Sequence, residues 1–132
     1  MNWTITGDRP VYLQLIEQLE LAIITGQLGP GARVPPVREL AAEAGVNPNT
    51  MQRALQELES RGLLQTQRTA GRTVTADIAR LNAVGDARAR QRAAEFLAEM
   101  QALGLGDEEV RALLTEPAAD ACAAPPAKEE SQ

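Results

Sequence analysis

The chain contains no histidine and only one cysteine, Cys122. These two shortages exclude an internal disulfide, Cys/His zinc sites and histidine-dependent acid–base chemistry. Aromatic residues are 2% of the sequence, namely Trp3, Tyr12 and Phe96. The core must therefore be built from Leu, Ile, Val and Ala, which suits small helical layers. No apolar run approaches the roughly 18 residues of a membrane-spanning helix, and the N-terminus lacks a charged segment followed by an apolar one. A cytoplasmic protein is expected. Nor is there a nucleophile beside a base, a phosphate-binding glycine loop, a convincing carboxylate pair or a metal cluster, so no enzymatic activity, metal or cofactor is expected.

At 132 residues the chain has room for one domain and an accessory segment. Its net charge of −5 argues at first against nucleic acid, but the charge is unevenly spread. Residues 27–80 carry seven arginines and five acids, whereas residues 81–132 carry five basic and ten acidic residues. The middle is mildly basic and the acid lies at the C-terminal end. Lys128 is the sole lysine; arginine is the better fork for phosphate and guanine.

The most informative stretch is NPNTMQRALQELESRGLL, from Asn47 to Leu64. Asn47 reads as a helix cap and Pro48 fits the first helical position, where no N–H is needed. Met51, Ala54, Leu55 and Leu58 recur at helical spacing and make one apolar stripe. The opposite face carries Asn49, Gln52, Arg53 and Gln56, with Thr50 at the edge of the first turn. Amides there suit adenine and a guanidinium suits guanine. Glu57 and Glu59 come later, clear of a phosphate backbone, and Gly62 ends the helix. The stretch reads as a DNA recognition helix.

Residues 1–9 read as an extended arm with a Gly7-Asp8 turn. From Pro10 a helix follows, with Val11, Leu15, Leu19, Ala22 and Ile23 inward and Gly26 as its stop. The Gly/Pro-rich loop GQLGPGARVPP contains a short extended piece around Arg33-Val34. Arg38 to Ala44 is a brief helix with Leu40, Ala41 and Ala44 inward, and Gly45 and Val46 make the turn into the recognition helix. This is the helix-turn-helix pattern. Leu63 to Gln67 and Arg72 to Thr75 alternate as strands around a turn at Arg68 to Gly71, forming a wing with Arg68 and Arg72 at its tip. Beyond Asp77 a second helical segment carries a candidate kink at Gly85-Asp86. Phe96, Leu97, Met100 and Leu103 lie on one face, and Gly104 reads as the C-cap. Asp107 is expected to cap a last helix bearing Val110, Leu113 and Leu114, with Glu108 and Glu109 favouring its dipole.

The pieces G-x-L-x-P-G-x-R-V-P, V-R-E-L-A, G-V, N-T-x-x-R-A-L and L-E-x-x-G-L-L run in order through residues 10–75. This segment resembles the winged helix-turn-helix domain of the GntR family of bacterial repressors. Asn47-Pro48-Asn49-Thr50 and the short C-terminal segment resemble its YtrA-like subfamily, in which a two-helix appendage dimerises the protein. The resemblance implies a dimer on a palindromic operator, often that of its own operon with transporter genes. It also implies that Arg33, Arg38, Asn49, Thr50, Gln52, Arg53 and Gly71 fall where family members touch DNA. Many members have arginine where Pro48 and Gln52 stand, and the wing reads A-G-R-T-V instead of the commoner G-x-G-T-F.

The expected fold is mainly α with a small β-wing. Residues 1–76 are the winged helix-turn-helix, 77–115 a helical dimerisation segment and 116–132 a disordered tail. The expected DNA contacts are Arg33, Arg38, Asn47, Asn49, Thr50, Gln52, Arg53, Arg68, Gly71 and Arg72. The dimerisation face is Phe96, Leu97, Met100, Leu103, Val110, Leu113 and Leu114, because so short an extension can hardly bury both apolar faces alone. An effector pocket between protomers is left open. The competing reading is a winged-helix module for protein contact or DNA architecture with little base readout. The Asn49/Gln52/Arg53 cluster weighs against it, since a protein-binding face would carry apolar anchors.

Overall fold

A computed structural model describes residues 1–116. The expected tail over 117–132, with Cys122 and Lys128, lies outside the described residues. The chain divides into two compact units, one from Met1 to Ala87 and the other beginning at Arg88.

In the first unit, α1 (Val11–Ile24), α2 (Val37–Ala44) and α3 (Pro48–Ser60) precede a two-stranded hairpin, β1 (Leu64–Gln67) and β2 (Gly71–Val74). Helix α3 is the hub, packing against α1, α2 and β1. Its stripe of Met51, Ala54, Leu55 and Leu58 is fully buried, as are Leu15 of α1 and Leu63 and Val74 around the hairpin. Leu40, Ala41 and Val34 close the same cluster. Each fully buried leucine here is worth roughly 1.5–3 kcal/mol of apolar transfer.

The ends of α3 show why it forms where it does. The Asn47 side-chain oxygen accepts the Asn49 N–H at 2.7 Å, and Pro48 occupies the first helical position. At the other end the Gly62 N–H donates to the Glu59 carbonyl and the Leu63 N–H to that of Leu58, each at 3.0 Å. The chain thereby leaves α3 through a left-handed Gly62 and enters β1. Between α2 and α3, Gly45 has φ 71°, a left-handed conformation that a side chain would strain, and this reverses the chain within the helix-turn-helix.

The N-terminal arm is tied down by amides. Gln14, buried on α1, accepts the Thr6 N–H at 2.8 Å and donates to the carbonyls of Thr6 and Arg9. Gln18 exchanges a similar pair of bonds with the backbone of Thr4. Met1, Trp3 and Ile5 can then cover the core edge. Gln14 is thus an inward residue that apolar periodicity overlooks, while Val11 is only half-buried.

The wing is antiparallel, pairing Leu64 with Val74 and Gln67 with Gly71. Gly71 therefore belongs to β2 and not to the turn. Arg33 bridges to Thr73, so the extended piece seen in the sequence borders the hairpin as a third, minimal strand. Its bonds run from the Val34 N–H to the Arg72 carbonyl and from the Val74 N–H to the Ala32 carbonyl, both 2.9 Å.

Helix α4 runs without interruption from Ile78 to Ala102, through the candidate kink at Gly85-Asp86. Gly85 lets α1 come close: a Cβ there would lie 3.1 Å from Ile24 Cγ2. In the second unit, the remainder of α4 ends at a left-handed Gly104, and α5 (Asp107–Leu114) follows. Asp107 is the first helical residue of α5 and not its cap, which corrects the expectation. Gly106 holds the cap position, and the Glu109 carboxylate accepts its N–H at 2.8 Å. The three acids of the first turn still complement the helix dipole.

Candidate nucleic-acid interface

Burying one stripe of α3 leaves the other outward. Asn49, Arg53 and Gln56 are exposed and Thr50 and Gln52 half-exposed, along the first two turns. The side chains of Asn49, Gln52 and Gln56 have no hydrogen-bond partner among the described residues. Their amides are free to bond an incoming partner. Asn47 lies beside them, but its oxygen is engaged in the cap.

Eight of the twelve arginines fall into two groups. Arg9, Arg61, Arg80 and Arg111 are paired with Glu17, Glu20 and Glu57, Asp77 and Glu108 respectively. Arg33, Arg38, Arg53 and Arg68 are exposed and have no carboxylate partner among the described residues. Arg38 in particular makes no ion pair with its neighbour Glu39. The unpaired group lies in the pre-α2 loop, at the start of α2, on α3 and at the wing tip. Within the first unit, the uncompensated positive charge thus lies on the elements of the helix-turn-helix and wing.

Arg72 differs from the expectation that it is a free wing cation. Its guanidinium donates to Glu59 Oε1 from both Nε (3.2 Å) and Nη2 (2.9 Å). The Thr66 hydroxyl donates to the other Glu59 oxygen. This places both strands of the wing on one carboxylate of α3. The Thr66 hydrogen bond, reinforced by Arg72, holds the Glu59 carboxyl below the usual glutamate range against the opposing effect of burial. Glu59, set aside in the sequence as an acid merely clear of DNA, is the brace between α3 and the wing.

Two further contacts were not legible in the sequence. The Arg33 Nε–H donates to the Ala70 carbonyl at 2.9 Å, tying the loop to the wing tip. The Arg53 guanidinium carbon lies 4.5 Å from the centroid of the Tyr12 ring, contributed by α1. Neither has a local sequence signal, because each joins segments distant along the chain. At the wing tip, Gly71 is exposed with φ 73° and nothing within 4 Å of a built Cβ, so its backbone is open to a close approach. Between the start of α2 and the wing lies an open cleft of roughly 650 Å³ lined by Arg33, Pro35, Val37, Glu39 and Gly71.

The expected dimerisation residues separate as well. Leu103 (72% exposed) and Leu114 (69%) are strongly exposed, and Phe96, Leu97 and Leu113 are exposed to a lesser degree. Met100 is half-buried. Val110 is 2% exposed within the single chain, so it packs internally and is not part of a free apolar face. Among the described residues, no helix is long and apolar enough to cross a membrane.

With this geometry in place, the relatives are informative. Residues 11–74 match the family model of bacterial regulatory proteins, gntR family. The chain is 34% identical over 104 residues to the HTH-type transcriptional regulator YhcF of Bacillus subtilis, covering 79% of this chain and 86% of that protein. It is 40% identical over 65 residues to the HTH-type transcriptional repressor YtrA of the same organism, about half of each protein. Among solved structures, a GntR family transcriptional regulator from Listeria monocytogenes superposes with TM-score 0.79 at 34% identity, covering 83% of this chain and 96% of that one. The DNA-binding domain of AraR, solved in complex with operator ORX1, superposes with TM-score 0.52 at 28% identity over 57% of this chain and 96% of its own. The chain belongs to the GntR family of bacterial regulatory proteins. It is a transcriptional regulator with a winged helix-turn-helix DNA-binding domain and is not an enzyme.

Proposed function

We propose that the protein is a cytoplasmic homodimeric repressor that occludes its own promoter by binding a palindromic operator, with transporter genes in the same operon. The observation that supports the reading is the placement of the unpaired arginines within the first unit. Arg33, Arg38, Arg53 and Arg68 lack carboxylate partners and flank the free amides of Asn49 and Gln52. In this reading Asn49, Gln52 and Arg53 read base edges in the major groove, while Arg38 and Thr50 hold phosphates. Gly71 and Arg68 bring the wing to the adjacent backbone, and Arg33 steadies the wing tip. Arg72 acts through its pairing with Glu59, keeping the wing in register with α3, and Asn47 acts through the cap.

The dimer is supported by the exposed side chains Phe96, Leu97, Leu103, Leu113 and Leu114 of the helical segment over residues 77–115. One small module buries little DNA surface; two half-sites a helical turn apart roughly double the binding energy. The operator bound by AraR and the repressor YtrA support the same reading.

The test is an anisotropy titration against the DNA upstream of the protein's own gene, with scrambled duplex as competitor, at two salt concentrations. Tight binding that withstands the competitor is expected. Weak binding that disappears with salt equally for both duplexes would reduce the interaction to phosphate attraction and overturn the proposal.

A further inference from the structure

We infer that Tyr12, on α1 and outside the helix-turn-helix itself, is a positioning residue that sets the presentation of Arg53 to DNA; this rests on the DNA-reading role proposed above. The Arg53 guanidinium carbon lies 4.5 Å from the Tyr12 ring centroid, within the range of a cation–π contact. The ring is itself fixed, because Tyr12 is half-buried against the core that joins α1 to α3.

The kind of contact matters. Arg72 gives N–H donors to Glu59, and Arg33 gives its Nε–H to Ala70. Arg53 makes no hydrogen bond among the described residues. A ring contact of this kind ties up no hydrogen-bond acceptor, and the Arg53 guanidinium gives none of its five N–H donors to an acceptor among the described residues. Tyr12 therefore restrains a long, rotamer-rich side chain while leaving every donor available for a base edge or phosphate. A free arginine in the same place would lose that rotamer freedom only on binding DNA. The Tyr12 hydroxyl makes no hydrogen bond among the described residues, so the ring alone supplies the restraint.

The probe is the duplex that the wild-type protein enriches from a randomised DNA library, with a scrambled duplex as reference. Tyr12→Phe keeps the aromatic face and is expected to bind as the wild type does. Tyr12→Leu keeps apolar bulk but loses the ring, and is expected to weaken binding of the enriched duplex roughly two- to fivefold, with the scrambled duplex unaffected. In an Arg53→Ala background, Tyr12→Leu is expected to have no additional effect. In the free protein, the Arg53 side-chain protons are expected upfield of their usual NMR positions in the wild type and in Tyr12→Phe.

Equal losses with and without Arg53, or a loss in Tyr12→Phe matching that in Tyr12→Leu, would overturn the positioning role. Should Tyr12→Leu fail to fold, the wild-type spectrum decides, and unshifted Arg53 protons overturn it. If Arg53→Ala binds the enriched duplex at full strength, or no duplex is enriched, the failure lies in the proposed DNA reading and the inference falls with it.

Discussion

Replacing Glu59 by alanine removes the carboxylate that accepts from Thr66 of β1 and from Arg72 of β2. The Arg72 side chain is 17% exposed and that of Glu59 25%, so the Arg72 pair is largely shielded from water, whereas the Thr66 bond is exposed. Charge-assisted hydrogen bonds of this kind contribute roughly 1.5–3 kcal/mol, and residual solvent access pulls the figure towards the lower end. A destabilisation of about 2 kcal/mol follows, which in a unit of this size lowers Tm by roughly 8–16 °C.

The sign of the pH dependence is set by the lowered Glu59 carboxyl. In the unfolded chain the group returns to the ordinary glutamate range and binds its proton more readily than in the folded protein. Its contribution is therefore complete above that range and is lost as pH falls through the lower folded value. Thermal melts followed by circular dichroism at neutral pH and through the acid range should show two things. Glu59→Ala and Glu59→Gln should melt earlier than the wild type at neutral pH, and the gap should narrow on acidification. A Glu59→Ala protein that melts with the wild type at neutral pH, or a gap that widens in acid, would refute the bracing role.

Thr73 is buried and its hydroxyl has no partner among the described residues. Thr73→Val should therefore stabilise the fold by about 1 kcal/mol in urea titration, since an unsatisfied polar atom gives way to a methyl of similar shape. Arg38→Ala should weaken DNA binding about equally for all sequences and reduce the slope of log affinity against log salt by about 1, as for one lost phosphate contact. A loss confined to the preferred sequence would make Arg38 a base reader instead. If the proposed dimer forms through the exposed apolar face, Leu97→Glu should give monomers in sedimentation where the wild type gives dimers, and an unchanged mass would place the interface elsewhere.

Much of the first unit was legible residue by residue. Periodicity picked out the buried stripe of α3, and Asn47, Pro48 and Gly62 bounded that helix, because caps and stripes act within a turn or two of chain. The strand pair was visible from alternation, although its register was not: pairing with Gln67 moved Gly71 from the turn into β2. Asp107 looks like a cap until Gly106 is found at that position, and Val110 looks like an interface residue until its burial within the chain is seen. Arg72 looks like a free cation until Glu59 is brought beside it. For Val110 and Arg72 the deciding neighbour lies outside the local window.

By itself, then, the sequence determined which segments are helical, where the recognition helix begins and ends, and which residue types crowd its outer face. These are consequences of local backbone preference and of apolar spacing. Only the tertiary structure decided which arginines are neutralised and which are left free, that one glutamate joins both strands of the wing to α3, and that Tyr12 lies against Arg53. Ion pairs and ring contacts depend on distances of a few ångströms between elements remote in sequence, and packing of α1 and the hairpin onto α3 is what sets those distances.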